Sequence, residues 1–104
     1  MLMFTQRKTG AVALSDTINP DKAFQLEEVR IHLSAAGGAG NLTVKLDANA
    51  GAAYDAVLLT QDMTLVTDLL WQPEKPIPCD KGDKIVIAWD NTNGRTYGLE
   101  TKFR

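Results

Sequence analysis

Asp83-Lys84-Ile85-Val86-Ile87-Ala88-Trp89-Asp90-Asn91-Thr92-Asn93-Gly94-Arg95-Thr96-Tyr97-Gly98-Leu99 decides the fold class of this 104-residue chain. Large apolar side chains take alternate positions at Ile85, Ile87 and Trp89, and again at Tyr97, Leu99 and Phe103. A strand turns successive side chains to opposite faces, so this spacing predicts two half-buried strands. Between them stands Asn93-Gly94, a pair suited to the positive φ of a tight turn. The segment therefore predicts a β-hairpin. A two-residue turn would set Ile87 opposite Glu100 and bury a carboxylate, at a cost on the order of several kcal/mol. A three-residue loop, Thr92-Asn93-Gly94 with Gly94 left-handed at a bulge, shifts the pairing by one. Trp89 then faces Tyr97, and Ile87 faces Leu99.

Working outward, the same short alternating runs recur between Gly, Asn, Asp and Pro clusters, and predict one all-β domain over 1–104: an antiparallel β-sandwich of about eight strands. Residues 2–6 and 10–15 form the first pair, and Asn19-Pro20-Asp21-Lys22 is a turn. In residues 23–34 the apolar phase switches, with Phe24 and Leu26 on one parity and Val29, Ile31 and Leu33 on the other. A bulge at Glu27-Glu28 returns all five to one face. Residues 34–41, with three glycines and no large side chain, read as a flexible loop. Leu42, Val44 and Leu46 alternate with Thr43, Lys45 and Asp47. Residues 54–61 are apolar on both parities and cannot be oriented. Leu65, Leu69 and Trp71 share a face in residues 65–71. Pro73, Pro76 and Pro78 each lack an N–H, so residues 72–80 run as an edge or connection and discourage edge-to-edge aggregation.

Composition narrows the class further. The chain is 44% hydrophobic and 23% charged, which excludes wholesale disorder, and its net charge of −2 gives no electrostatic reason to bind nucleic acid. The charge is unevenly spread: residues 11–62 hold seven acids against three bases, and the ends hold six against eight. That imbalance suits a mildly polarised molecule that packs head to tail on copies of itself, besides an ordinary mixed surface. Met1-Leu2-Met3-Phe4 precedes Thr5-Gln6-Arg7-Lys8, the reverse of a signal peptide's layout, and no long apolar run suggests a membrane segment. A single cysteine, Cys79, forbids an internal disulfide. These features together predict a soluble protein made in a reducing cytoplasm.

No stretch assembles a reaction centre, so no catalytic, metal or cofactor residue is assigned. Asp90-Asn91-Thr92-Asn93-Gly94 has the oxygen ligands of a calcium loop but not its spacing, since Thr101 stands where a bidentate Glu belongs. Asp80 and Asp83 flank a tight turn at Lys81-Gly82. His32 points outward with Arg30 and Ser34, and a lone histidine is no metal site. The glycines of 34–41 precede a strand rather than a helix, so they do not make a phosphate loop. Glu27 and Glu28 could meet only at the bulge, thin support for acid–base chemistry. Trp89 shares the parity of Ile85 and Ile87 and belongs to the core. That leaves Trp71, at a strand end, as the one aromatic platform for a carbohydrate-binding module.

Two segments carry a resemblance. Phe24-Gln25-Leu26-Glu27-Glu28-Val29-Arg30-Ile31-His32-Leu33-Ser34-Ala35-Ala36-Gly37-Gly38, followed by Asn41-Leu42-Thr43-Val44, resembles small structural proteins of tailed bacteriophage virions. Lys81-Gly82-Asp83-Lys84-Ile85-Val86-Ile87-Ala88-Trp89, with Gly94-Arg95-Thr96-Tyr97-Gly98-Leu99-Glu100, is similar in the same way. The resemblance implies a jelly-roll-like sandwich without catalysis or a required small molecule. It also implies a homo-oligomer located in the virion after synthesis in the host cytoplasm, as a capsid cement (decoration) protein or a tail component. Its partners would be neighbouring capsid or tail subunits, not nucleic acid or membrane. Met1, Leu2, Met3 and Phe4 then read either as the first strand or as an arm that joins a neighbour's sheet edge, and these four with Trp71 are the interface candidates.

Overall fold

The computed structural model describes residues 2–104. Met1, one of the interface candidates, lies outside the described residues. Within them the chain forms nine strands: β1 (Phe4–Gly10), β2 (Leu14–Ile18), β3 (Phe24–Leu33), β4 (Asn41–Asp47), β5 (Ala56–Asp62), β6 (Asp68–Trp71), β7 (Ile77–Cys79), β8 (Lys84–Trp89) and β9 (Tyr97–Phe103). A single turn of 3-10 helix at Ala52–Tyr54 joins β4 to β5. All strand pairs are antiparallel and form two sheets, β1-β9-β3-β6 with β7 also on β3, and β2-β8-β4-β5.

This order has a simple origin. First pairs with last (β1 with β9), then β2 with β8, β3 with β6 and β7, and β4 with β5. The chain is thus one long hairpin folded back near residues 48–55. It is then rolled up so that β3 meets β9 and β4 meets β8. That is the jelly roll. Its sixth position is interrupted: Leu26 pairs with Phe103 on one side and Ile77 on the other, so β6 and β7 follow one another along the same edge of β3. Pro73 and Pro76 lie in the excursion between them, and Pro78 sits within β7 itself. The break therefore falls on an outer edge, where a missing N–H is tolerated.

The hairpin expected of residues 83–99 is corrected by this topology. Each strand exists with the expected inward set, Ile85, Ile87 and Trp89 in β8 and Tyr97, Leu99 and Phe103 in β9, all buried. They are not neighbours, however. β8 lies between β2 and β4, and β9 lies between β1 and β3 in the other sheet, so Trp89 pairs with Leu14 and Tyr97 with Leu33. The two apolar stripes face each other across the core instead of lying side by side. Residues 90–96 make this crossing, with a turn closed by Gly94 N donating to Asn91 O at 2.9 Å. Gly94 has φ +62°, as the sequence demanded, but in a crossover turn. The pair expected of 2–6 and 10–15 fails for the same reason: β1 and β2 are in different sheets.

Other expectations hold. The register of β3 against β9 shifts between Leu26 and Glu28, a bulge at Glu27 that keeps Phe24, Leu26, Val29, Ile31 and Leu33 all inward. Pairing continues beyond it through Gln25 and Arg104, and the Glu27 carboxylate accepts a bond from Arg104 Nε. The ambiguous segment 54–61 is explained by a second irregularity, between Val44 and Lys45 against Leu59 and Val57. Leu58 is the extra residue there, so both parities carry apolar side chains. Residues 34–41 are not a loose loop. Gly37 is buried, bridges Thr64 and donates its N–H to Val66 O at 2.9 Å, while Arg95 Nε donates to Ala36 O. A Cβ at Gly37 would come within 2.5 Å of Met63 O, so glycine serves close approach rather than flexibility. Leu65 does not join Leu69 and Trp71: it lies before β6 at φ +64° and is 84% exposed.

Candidate interaction surface

The outward side chains of the first sheet form three cross-strand rows. Thr5, Lys102 and Glu28 stand opposite one another, then Arg7, Glu100, Arg30 and Leu70, then Thr9, Gly98, His32 and Asp68. Opposite charges at directly facing positions attract across the ladder. Glu100 takes Arg30 Nη2 at 2.7 Å and Arg7 Nε at 3.4 Å, and His32 Nδ1 donates to Asp68 at 2.6 Å. Glu28 takes Gln72 Nε2 at 2.7 Å and Lys102 Nζ at 3.9 Å. Gly98, carrying no side chain at the centre, leaves a shallow groove of about 550 Å³ bordered by Arg7, Arg30, His32 and Glu100.

What this groove can do chemically follows from its pairings. Burial alone would raise the Glu100 carboxyl, but hydrogen bonds and charge from Arg30 and Arg7 outweigh it and hold it below the ordinary carboxylate range. Glu100 is therefore a stable anion, poorly suited to give up a proton near neutral pH. Glu27 and Glu28 diverge at the bulge, one to Arg104 and the other to Gln72 and Lys102. Burial pushes the Cys79 thiol up to about 11, with the charges of Asp83 and Asp80 adding to the shift, so the reactive thiolate is suppressed. No group of three or more His, Cys, Asp or Glu among the described residues could hold a metal ion. No helix among them is long and apolar enough to cross a membrane.

The flanks of the sandwich differ from its faces. On one flank lie the outer edges of β1 and β2, and on the other those of β5, β6 and β7. Three of these edges are blunted. β2 is five residues long, and Gln6 Nε2 reaches across from β1 to occupy its Thr17 O at 3.0 Å. β6 is four residues long, and β7 is three residues with Pro78 at its centre. β1 and β5 remain: each is seven residues without proline, and among the described residues each has a strand on one side only. Unpaired N–H and C=O rows of that length are templates for another strand.

The residues singled out in the sequence fall unevenly on this map. Leu2 and Met3, ahead of β1, are 76% and 46% exposed. Phe4 opens β1 and pairs with Phe103; its ring stacks on that of Phe103 at 5.7 Å, and Lys22 Nζ lies 4.1 Å above it. Phe4 thus belongs to the first strand and is still 39% exposed. Trp71 is half-buried, pairs with the inward-facing Val29 and packs against the core. His32 is exposed as expected. Two positions carry more than turn chemistry. Asp83 is buried and accepts from Asn49 N and Asp80 N, each at 2.8 Å. Asn91 is buried and ties the loop after β1 to the loop after β8. The edge of β5 was missed by sequence reasoning, although its two-sided apolar character was its signal. The chain matches no protein-family model and no curated protein closely enough to show a family.

Proposed function

We propose that this protein is a non-enzymatic structural component of a tailed-phage particle, acting by binding capsid or tail subunits through its open sheet edges. The observation that carries the reading is the contrast between β1 and β5, each seven residues long and free of proline, and the remaining edges, which are capped, short or broken by proline. Strand addition supplies affinity from backbone hydrogen bonds and needs no chemistry at the site. The jelly roll is consistent with this role, being a recurrent architecture of viral capsid domains. Lectins share it, so the fold alone does not choose; the half-buried ring of Trp71 weighs against a sugar platform. The phage-like character of residues 24–44 and 81–100 supplies the particle.

Co-sedimentation of the purified protein with expanded heads, mature heads and isolated tails tests the reading. Saturable binding to one of these supports it and locates the site. Absence from all three pellets at micromolar concentration overturns it.

A further inference from the structure

The two open edges lie on opposite flanks, and the strands of those flanks differ in charge. The strands of the first flank, β1 and β2, hold Arg7 and Lys8 against Asp16, two bases to one acid. Those of the second, β5, β6 and β7, hold Asp62 and Asp68 and no base. Lys8 has no ion-pair partner among the described residues. We propose that β1 of one copy pairs with β5 of a second copy, head to tail, so that one copy's first sheet continues into the next copy's second sheet.

Both edges have the same length, seven residues, so neither strand is left unmatched. Self-pairing of β1 in full register about a two-fold axis would set Arg7 against its own copy, a like-charge contact that disfavours it. Pairing β1 with β5 instead brings the basic edge to the acidic flank. Val57 at 60% exposure, on the outer face beside that edge, gives the contact an apolar component. Such a contact is heterologous and leaves a β1 and a β5 free at the two ends, so it propagates to a ring or a filament. The inference rests on the reading above only in taking the edges as the binding surface. It concerns the isolated protein, so particle binding can fail while self-pairing holds, and the reverse.

Sedimentation of the purified chain over a concentration series tests it with two variants. Thr5→Glu with Lys8→Glu blocks the β1 edge, and Val57→Lys with Thr60→Lys blocks the β5 edge. The wild type is expected to grow in mass with concentration, less so at high salt, while each variant alone stays monomeric. A mixture should give a one-to-one dimer and nothing larger, because each variant retains the edge the other lacks. Hydrogen exchange of the wild type at low and high concentration gives the same answer without substitutions: protection should rise in β1 and β5 together. A wild type monomeric up to millimolar concentration overturns the proposal. So does dimerisation of the β1-blocked variant alone, or protection rising in β5 without β1, either of which would mean two-fold pairing of β5.

Discussion

Asn91, itself buried, holds a left-handed backbone, φ +50°, in the crossover between the sheets. Its amide donates to Val12 O at 3.0 Å and Arg95 O at 2.9 Å, and its Oδ1 accepts from Arg95 N at 2.9 Å. Asn tolerates this conformation better than most residues with a Cβ, and its side chain supplies the bonds the loop lacks. Asn91→Ala keeps the strain and removes the side-chain partner of three part-buried backbone groups, so it should cost roughly 1–3 kcal/mol in urea melts. Gly94→Val should cost about 1–2 kcal/mol, because a left-handed backbone crowds Cβ. Trp89→Ala, at a site 2% exposed, should cost about 3–5 kcal/mol. Trp89 and Gly94 were legible from alternation and turn chemistry. Asn91 read only as a turn residue, because the carbonyl it holds belongs to Val12, 79 positions away.

At the scale of elements, parity was legible and partnership was not. Alternation tells a strand which side chains turn inward, and it placed Ile85, Ile87, Trp89, Tyr97 and Leu99 correctly. It is silent on whether two inward faces lie side by side or opposite each other, since both bury the same residues. Here the seven-residue stretch 90–96 spans the roughly 10 Å between packed sheets. The bulge in β3 was readable because an extra residue leaves a parity switch, and deleting Glu27 should turn Phe24 and Leu26 outward and leave the chain unfolded by circular dichroism. Glu100 links β1, β9 and β3 through Arg7 and Arg30, and its pKa in the folded chain lies below the ordinary 4.5. Its contribution to stability is therefore fully present above the unfolded pKa and is lost as pH falls through the folded one. Glu100→Gln should flatten the fall in stability below about pH 4.5 and leave a smaller difference between pH 7 and pH 3 in denaturant titrations.

For the whole molecule, the rolled hairpin makes the first strand pair with the last, so the contacts that close the first sheet are nearly as remote in sequence as they can be. Loop-closure entropy must be overcome before those contacts form, and refolding on the millisecond-to-second scale is expected in stopped-flow fluorescence of Trp89. The same topology defines the surface assigned to binding. β1 is an edge because β9 sits between it and β3; were β8 and β9 a simple hairpin, the free edges would be different strands. Cross-strand backbone nuclear Overhauser effects on isotopically labelled protein therefore test the account most directly. Contacts from Leu14 and Val44 to β8, from Phe4 and Ile31 to β9, and none between the backbones of Trp89 and Tyr97 are predicted. A backbone contact between Trp89 and Tyr97, with β1 lacking any to β9, would contradict it.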